Sequence, residues 1–270
     1  MSRAVSSWSL HRTLGRFVAD DPSPAGSTNF RPTGPVAGTS LLELLAELAA
    51  RGYDTVQLCH FHLPHRDPGY LAELRAALDA SGIALDAVLI DDGDLTHPTD
   101  ADDHQSWIGA WIDDAEALGA DKARVIAGRQ PPTPERLRDS GRRLAQLAGD
   151  HPGVRIVTEN WMALLPDADC VRTVLDTAGD SVGLLVDLGN WTGPDKYEQL
   201  AAIAPRAETC HAKCHHTAAG DLETDDYRTS VQVLVSAGFR GPFALVYDGP
   251  TDDEWASLDA EHLIVSELVR

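Results

Sequence analysis

The feature that most limits the fold is a repeated switch between two hydrophobic periods. Short apolar and β-branched runs alternate with longer segments of helical pattern, eight times in succession. The runs are VSSWSL (5–10), TVQLCHF (55–61), LDAVLID (85–91), ARVIAG (123–128), VRIVTEN (154–160), VGLLVDL (182–188), AETCHAK (207–213) and PFALVYD (242–248). Helical patterns fall at 41–52, 67–81, 102–118, 133–148, 167–178, 194–204, 225–237 and 252–269. Several carry explicit boundary signals: Ser40 with Glu43 as a capping box, Thr133–Pro134 at a helix start, and Gly52, Gly82, Gly119 and Gly238 at helix ends. Residues 20–40, rich in Pro, Gly and Ser, read as a long loop after the first strand.

Strict βα alternation demands a parallel sheet, and eight units in 270 residues suit a single closed (β/α)8 TIM barrel spanning 1–270. An open doubly wound sheet would normally carry a glycine-rich phosphate loop after the first strand, and WSLHRTLG is not one. No composition break divides the chain.

In such a barrel the chemistry gathers at the C-terminal strand ends. There VTENW (157–161), LLVDLGNW (184–191) and ETCHAKCH (208–215) place Glu159, Asp187 and His211, one strand–helix–strand unit apart. Two carboxylates and an imidazole on consecutive parallel strands would converge, and together they suit a divalent cation such as Mn²⁺, Mg²⁺ or Zn²⁺. Three unrelated strand-end polar residues are the alternative reading of the same spacing.

The 22 Lys+Arg against 42 Asp+Glu give a net charge of −20, which argues against nucleic acid and anionic membrane as partners. Much of the acid sits in helix first turns (Asp100, Asp102, Asp103; Asp225, Asp226; Asp252, Asp253, Glu254), where it favours the helix dipole. No apolar run reaches membrane-spanning length and the N-terminus lacks an apolar signal core, so a cytoplasmic protein with a small-molecule substrate is expected. Homo-oligomerisation stays open. Cys59, Cys170, Cys210 and Cys214 form no disulfide framework, and free buried thiols are expected. A strand would send Cys210 and Cys214 to the face opposite His211 and His215, against one zinc site made of all four.

The chain resembles the sugar phosphate isomerase/epimerase family, the xylose-isomerase-like barrels. The resemblance rests on Glu159 in TENW, Asp187 and Asn190 in DLGN, and His211 and Lys213 in HAK. It implies a divalent cation at the barrel mouth and aldose–ketose isomerase, epimerase or related lyase chemistry. Two departures stand out. The family's fourth ligand, a glutamate on strand eight, falls on Val246; Asp248, two residues on and on the same side, is expected to close or water-bridge the site. Strand two carries Gln57, neutral and unable to act as a base, where the family often has Glu. DNA-repair barrels of the endonuclease IV type carry more histidine ligands and a basic groove.

Further candidates follow from position. Lys213 shares a side with His211 and can hold an oxyanion, or act as acid or base with a lowered pKa near a cation. Arg124, inside an apolar strand, needs an anionic partner, either an acidic strand neighbour or a substrate. His60 and His62 close strand two, with His62 favoured by the family's habit. Trp8, Trp161, Trp191, Asn190, His215 and Gln57 are candidate substrate contacts. Of Asp91, Asp92 and Asp94, one could orient a ligand, or all three could be a solvated turn.

Overall fold

The structure, a computed structural model, describes residues 2–15 and 38–269. Most of the loop expected at 20–40 lies outside the described residues. Eight parallel strands pair in chain order and close into a barrel: β1 (Ala4–Ser6), β2 (Thr55–Cys59), β3 (Ala84–Ile90), β4 (Lys122–Val125), β5 (Arg155–Glu159), β6 (Gly183–Asp187), β7 (Ala207–Lys213) and β8 (Phe243–Val246). Closure is made by β1 against β8, with Ala4 opposite Ala244 and Val5 opposite Leu245. The helices are α1 (Leu41–Ala50), α2 (Pro68–Ser81), α3 (Ala101–Leu118), α4 (Pro134–Asp150), α5 (Ala168–Ala178), α6 (Lys196–Ile203), α7 (Thr224–Ser236) and α8 (Glu254–Leu268).

Helix starts follow local chemistry. Ser40 and Glu43 form the full capping box, and Asp67, Thr133, Asp167 and Asp253 each accept the backbone N–H three residues on. Glu254 departs from the expected dipole role. It is buried, and its carboxylate accepts the N–H groups of Arg12 and Thr13 and the Thr13 hydroxyl, tying α8 to the segment after β1.

Several expected strands end early. Residues 7–10 and 60–62 turn into short 3₁₀ helices, and β4 and β8 stop at Val125 and Val246.

The interior of the barrel is layered. At the bottom, Asp86 accepts from Gln57 (2.7 Å), Thr209 (2.7 Å) and Lys122 (2.7 Å), while Arg155 pairs with Glu208. Register shifts between Val56 and Gln57 and between Leu184 and Leu185 accompany this polar floor. Above it Cys59, Ala87, Leu89, Val157 and Leu185 form an apolar layer, with Phe61 and Trp8 packed against it. The charged residues at the ends of β5, β6 and β7 sit on top of that layer. Outward-facing residues of the strands form a second, larger core with the helices. Among the described residues no helix is long and apolar enough to cross a membrane.

Candidate metal centre at the barrel mouth

The last residues of β5 and β6 and the middle of β7 bring Glu159, Asp187 and His211 together. One ligating atom from each lies within 4.8 Å of the others, and all three residues are buried. His211 Nδ1 stands 3.4 Å from Glu159 Oε1 and 3.5 Å from Asp187 Oδ2. Asp187 and His211 are direct partners in the sheet register, which fixes their approach.

The side chains of this cluster are held by their neighbours. Asp187 Oδ1 accepts the N–H groups of Gly189 (2.6 Å) and Asn190 (2.8 Å), leaving Oδ2 to face His211. The Asn160 side chain clamps the Asp187 backbone, donating to its carbonyl (3.0 Å) and accepting its N–H (2.8 Å). Asn160 thus carries the β5–β6 pairing one residue beyond the strand. Asn160 is not among the candidates read from the sequence; its place directly after Glu159 at a strand end is the available signal. Asn190 donates to Glu159 Oε1 at 2.9 Å, so it orients the carboxylate and its amide is not turned to a substrate.

Arg124 rises from the level of the apolar layer and is 2 % exposed. Its guanidinium pairs with Asp91, and its Nε lies 3.0 Å from Glu159 Oε2. Of its two expected kinds of partner, strand-end carboxylates have taken the place. Asp91 also faces His60 Nδ1 at 3.8 Å. Asp94 instead organises the following loop, accepting from Thr96, Arg129 and Gln130, and Asp92 pairs with Arg129.

Electrostatics follow from this packing. Burial alone would push the His211 imidazole down, but Glu159 and Asp187 overcome it and raise its pKa to about 9. Burial opposes the Asp187 charge, yet His211 and Lys213 hold its carboxyl below the ordinary range. Asp91 is likewise held well below that range by Arg124 and His60 against its burial.

Several expected contacts are corrected. Lys213 Nζ points to Asp248 Oδ2 at 2.9 Å. Burial works against its charge, but Asp187 and Asp248 raise its pKa, the opposite of the lowered value expected for a base. Asp248 therefore pairs with Lys213 and stands outside the three-residue cluster. Val246, opposite Lys213 in the β7–β8 register, is buried and offers no donor atom. Gly189 makes room for Lys213: a Cβ there would fall 2.8 Å from its Cγ. Gln57 lies a layer beneath the cluster, because its partner Thr209 precedes His211 by one step on the same strand face. His62 is buried, with Ser7 Oγ at 2.8 Å and His11 at 3.3 Å. Trp191 turns into the outer core, its indole N–H donating to the Leu165 carbonyl. Trp8 and Trp161 stay half-buried; Trp8 packs on the inner apolar layer, and Trp161 carries the Arg124 guanidinium 5.2 Å over its ring. His215 approaches the Gly189 carbonyl at 2.9 Å.

A resident divalent ion fits this set on the structure's own terms. His211 Nε2 is buried with no hydrogen-bond partner among the described residues, an expensive state for a polar atom unless something else occupies it. Two carboxylates and one imidazole are also the donor set of a hard or borderline cation.

The closed eight-stranded barrel, with two carboxylates and an imidazole gathered at its C-terminal rim, defines a (β/α)8 protein with a candidate metal site. The chain matches the xylose isomerase-like TIM barrel family over residues 45–264 and belongs to that family. No curated protein matches the sequence. Among solved structures it is similar to a xylose isomerase-like TIM barrel protein from Mycobacterium smegmatis in complex with magnesium, at 18% identity, covering 99% of this chain and 96% of that one, TM-score 0.68. D-psicose 3-epimerase from Clostridium cellulolyticum H10 superposes at TM-score 0.70, 14% identity and full coverage of both chains. The 3-keto-D-glucoside 4-epimerase of E. coli reaches TM-score 0.64 at 15% identity, with 84% of this chain and 94% of that one covered. These identities establish a shared fold.

Proposed function

We propose that this protein is a divalent-metal-dependent isomerase or epimerase that moves a proton on a small sugar, polyol or cyclitol. The observation that carries the reading is the convergence of buried Glu159, Asp187 and His211 at the barrel mouth, with His211 Nε2 left without a hydrogen-bond partner among the described residues. Those three residues would hold Mn²⁺, Mg²⁺ or Zn²⁺, which when bound supplies a Lewis acid for a carbonyl or hydroxyl oxygen. The magnesium complex of the mycobacterial neighbour and the epimerase neighbours support the same direction.

The chain's own residues supply the rest. Glu159 is the carboxylate placed to take a proton from carbon, with Asn190 and Arg124 fixing its orientation. Lys213 stays charged and is suited to hold an oxygen that gains negative charge, as in an enediolate. Trp8 and Trp161 offer ring faces to a sugar. A net charge of −20 fits a small substrate in the cytoplasm better than nucleic acid.

Val246 favours a second reading. With no carboxylate at that place on β8, proton transfer from one face of the substrate only, as in a dehydratase, is the natural variant. One experiment separates the two. Protein loaded with Mn²⁺, Mg²⁺ or Zn²⁺ is incubated in D₂O with a panel of ketoses, aldoses and keto-cyclitols and followed by NMR and mass spectrometry. An isomerase incorporates deuterium next to the carbonyl and yields an isomeric product; a dehydratase loses water. Neither exchange nor turnover on any member, with the ion bound, would overturn the proposal.

A further inference from the structure

Outside the mouth, a second group of ligand-type side chains comes together behind β7. Cys214, His216 and Glu261 each present an atom within 4.8 Å of the others. Strand alternation explains the first two. Lys213 and His215 turn to the mouth, so Cys214 and His216 turn outward, toward the helices. Glu261 comes from the middle of α8, on the face that also buries Leu258, Ile264 and Val265.

The burial of this group is hard to account for without a further partner. Glu261 is fully buried, and neither of its carboxylate oxygens has a hydrogen-bond partner among the described residues. The His216 side chain is 2 % exposed, and neither of its ring nitrogens has one. Their closest approach, 3.7 Å from Nε2 to Oε1, is too long for a hydrogen bond. Around them stand the Tyr247 ring, 4.9 Å from the imidazole, and the Tyr227 hydroxyl, which is already given to the Ala212 carbonyl. Cys214 Sγ lies 3.3 Å from the His215 carbonyl. Four unpartnered donor and acceptor atoms in one closed place, beside a thiol, are what a site for an ion leaves when its protein ligands are counted alone.

We infer that Cys214, His216 and Glu261 bind a borderline divalent ion of the zinc class, separate from the mouth site. Thiolate, imidazole and carboxylate are the three ligand types zinc takes, and a fourth position is left for water. The charges also close: thiolate and carboxylate together neutralise M²⁺, so no net charge remains in the apolar surroundings. Binding sends the Cys214 and Glu261 protons to solvent, with no redox change. The ion would pin α8 to the turn after β7, in which His216 bridges Leu222 and Glu223 N–H donates to the His215 carbonyl. That turn directly follows Lys213.

Cobalt reports on this site specifically, because a thiolate ligand gives a near-ultraviolet charge-transfer band and the mouth cluster has no sulfur. Full-length protein is stripped with a chelator and titrated with Co²⁺. The wild type and Asp187→Asn should both develop the band, saturating with one ion, and Cys214→Ser should lose it while keeping an ion at the mouth. Glu261→Gln should keep the band but weaken cobalt binding about tenfold. Folded wild type that binds cobalt with no thiolate band overturns the assignment, as does a band that survives in Cys214→Ser. If Cys214→Ser fails to fold, the Glu261→Gln titration decides: unchanged affinity overturns the site.

Discussion

Lys213 Nζ lies 2.9 Å from Asp248 Oδ2, across the β7–β8 edge of the mouth. The pair uses the one carboxylate near the end of β8 to hold a cation beside the cluster. Val246, the last residue of β8, offers no donor atom, and Asp248, two residues beyond the strand, is turned to Lys213.

This pairing predicts a division of effects. Lys213→Met should lower kcat roughly 10²-fold with the mouth ion retained, because charge stabilisation is lost and ligation is not. Asp248→Asn should lower kcat about tenfold and leave metal affinity unchanged, since its partner is the ammonium. Steady-state kinetics beside metal analysis check both, and weakened metal binding in Asp248→Asn would show that it acts on the ion.

Asp187→Asn and His211→Ala should each release the mouth ion, and Val246→Glu should tighten it by adding a fourth donor on the open side. Isothermal titration with Mn²⁺ on metal-stripped protein measures all three. Binding that survives both ligand substitutions would place the site elsewhere.

Arg124 is buried between Asp91 and Glu159, so Arg124→Met leaves two carboxylates in the interior without their cation. A loss of roughly 3–5 kcal/mol in urea unfolding is expected. Arg124→Lys should recover only part of it, because one ammonium cannot serve both carboxylates as the planar guanidinium does.

The pH dependence of the metal-free protein should carry the mark of His211. Its pKa is about 9 in the folded chain and 6.5 as an ordinary histidine, so its charged form stabilises the fold. That contribution, on the order of 3 kcal/mol, is complete below pH 6.5 and is lost as pH rises through 9. Thermal melts in chelator should show stability falling across this window, with the slope reduced in His211→Asn. Mouth-site metal affinity should rise over the same window, because the proton leaves without competition.

The sequence by itself determined the barrel. The eight alternations of period, with Ser40–Glu43 and Thr133–Pro134 marking helix starts, leave few other ways to bury so many half-apolar segments. It also pointed to the cluster, since Glu159 and Asp187 at the ends of β5 and β6 and His211 two residues before the end of β7 share one rim once the sheet closes. Only the tertiary structure decided which partner each remaining polar group would take. Asp91 and Glu159 claim Arg124, Asp248 claims Lys213, and Asp86 claims Gln57, because strand register and the β-bulges set which side chains share a layer. Trp191 turned outward and Glu261 came to lie against Cys214 and His216 for the same reason. One-dimensional spacing fixes which face a residue presents, and the neighbours it meets across strands and helices are set by packing.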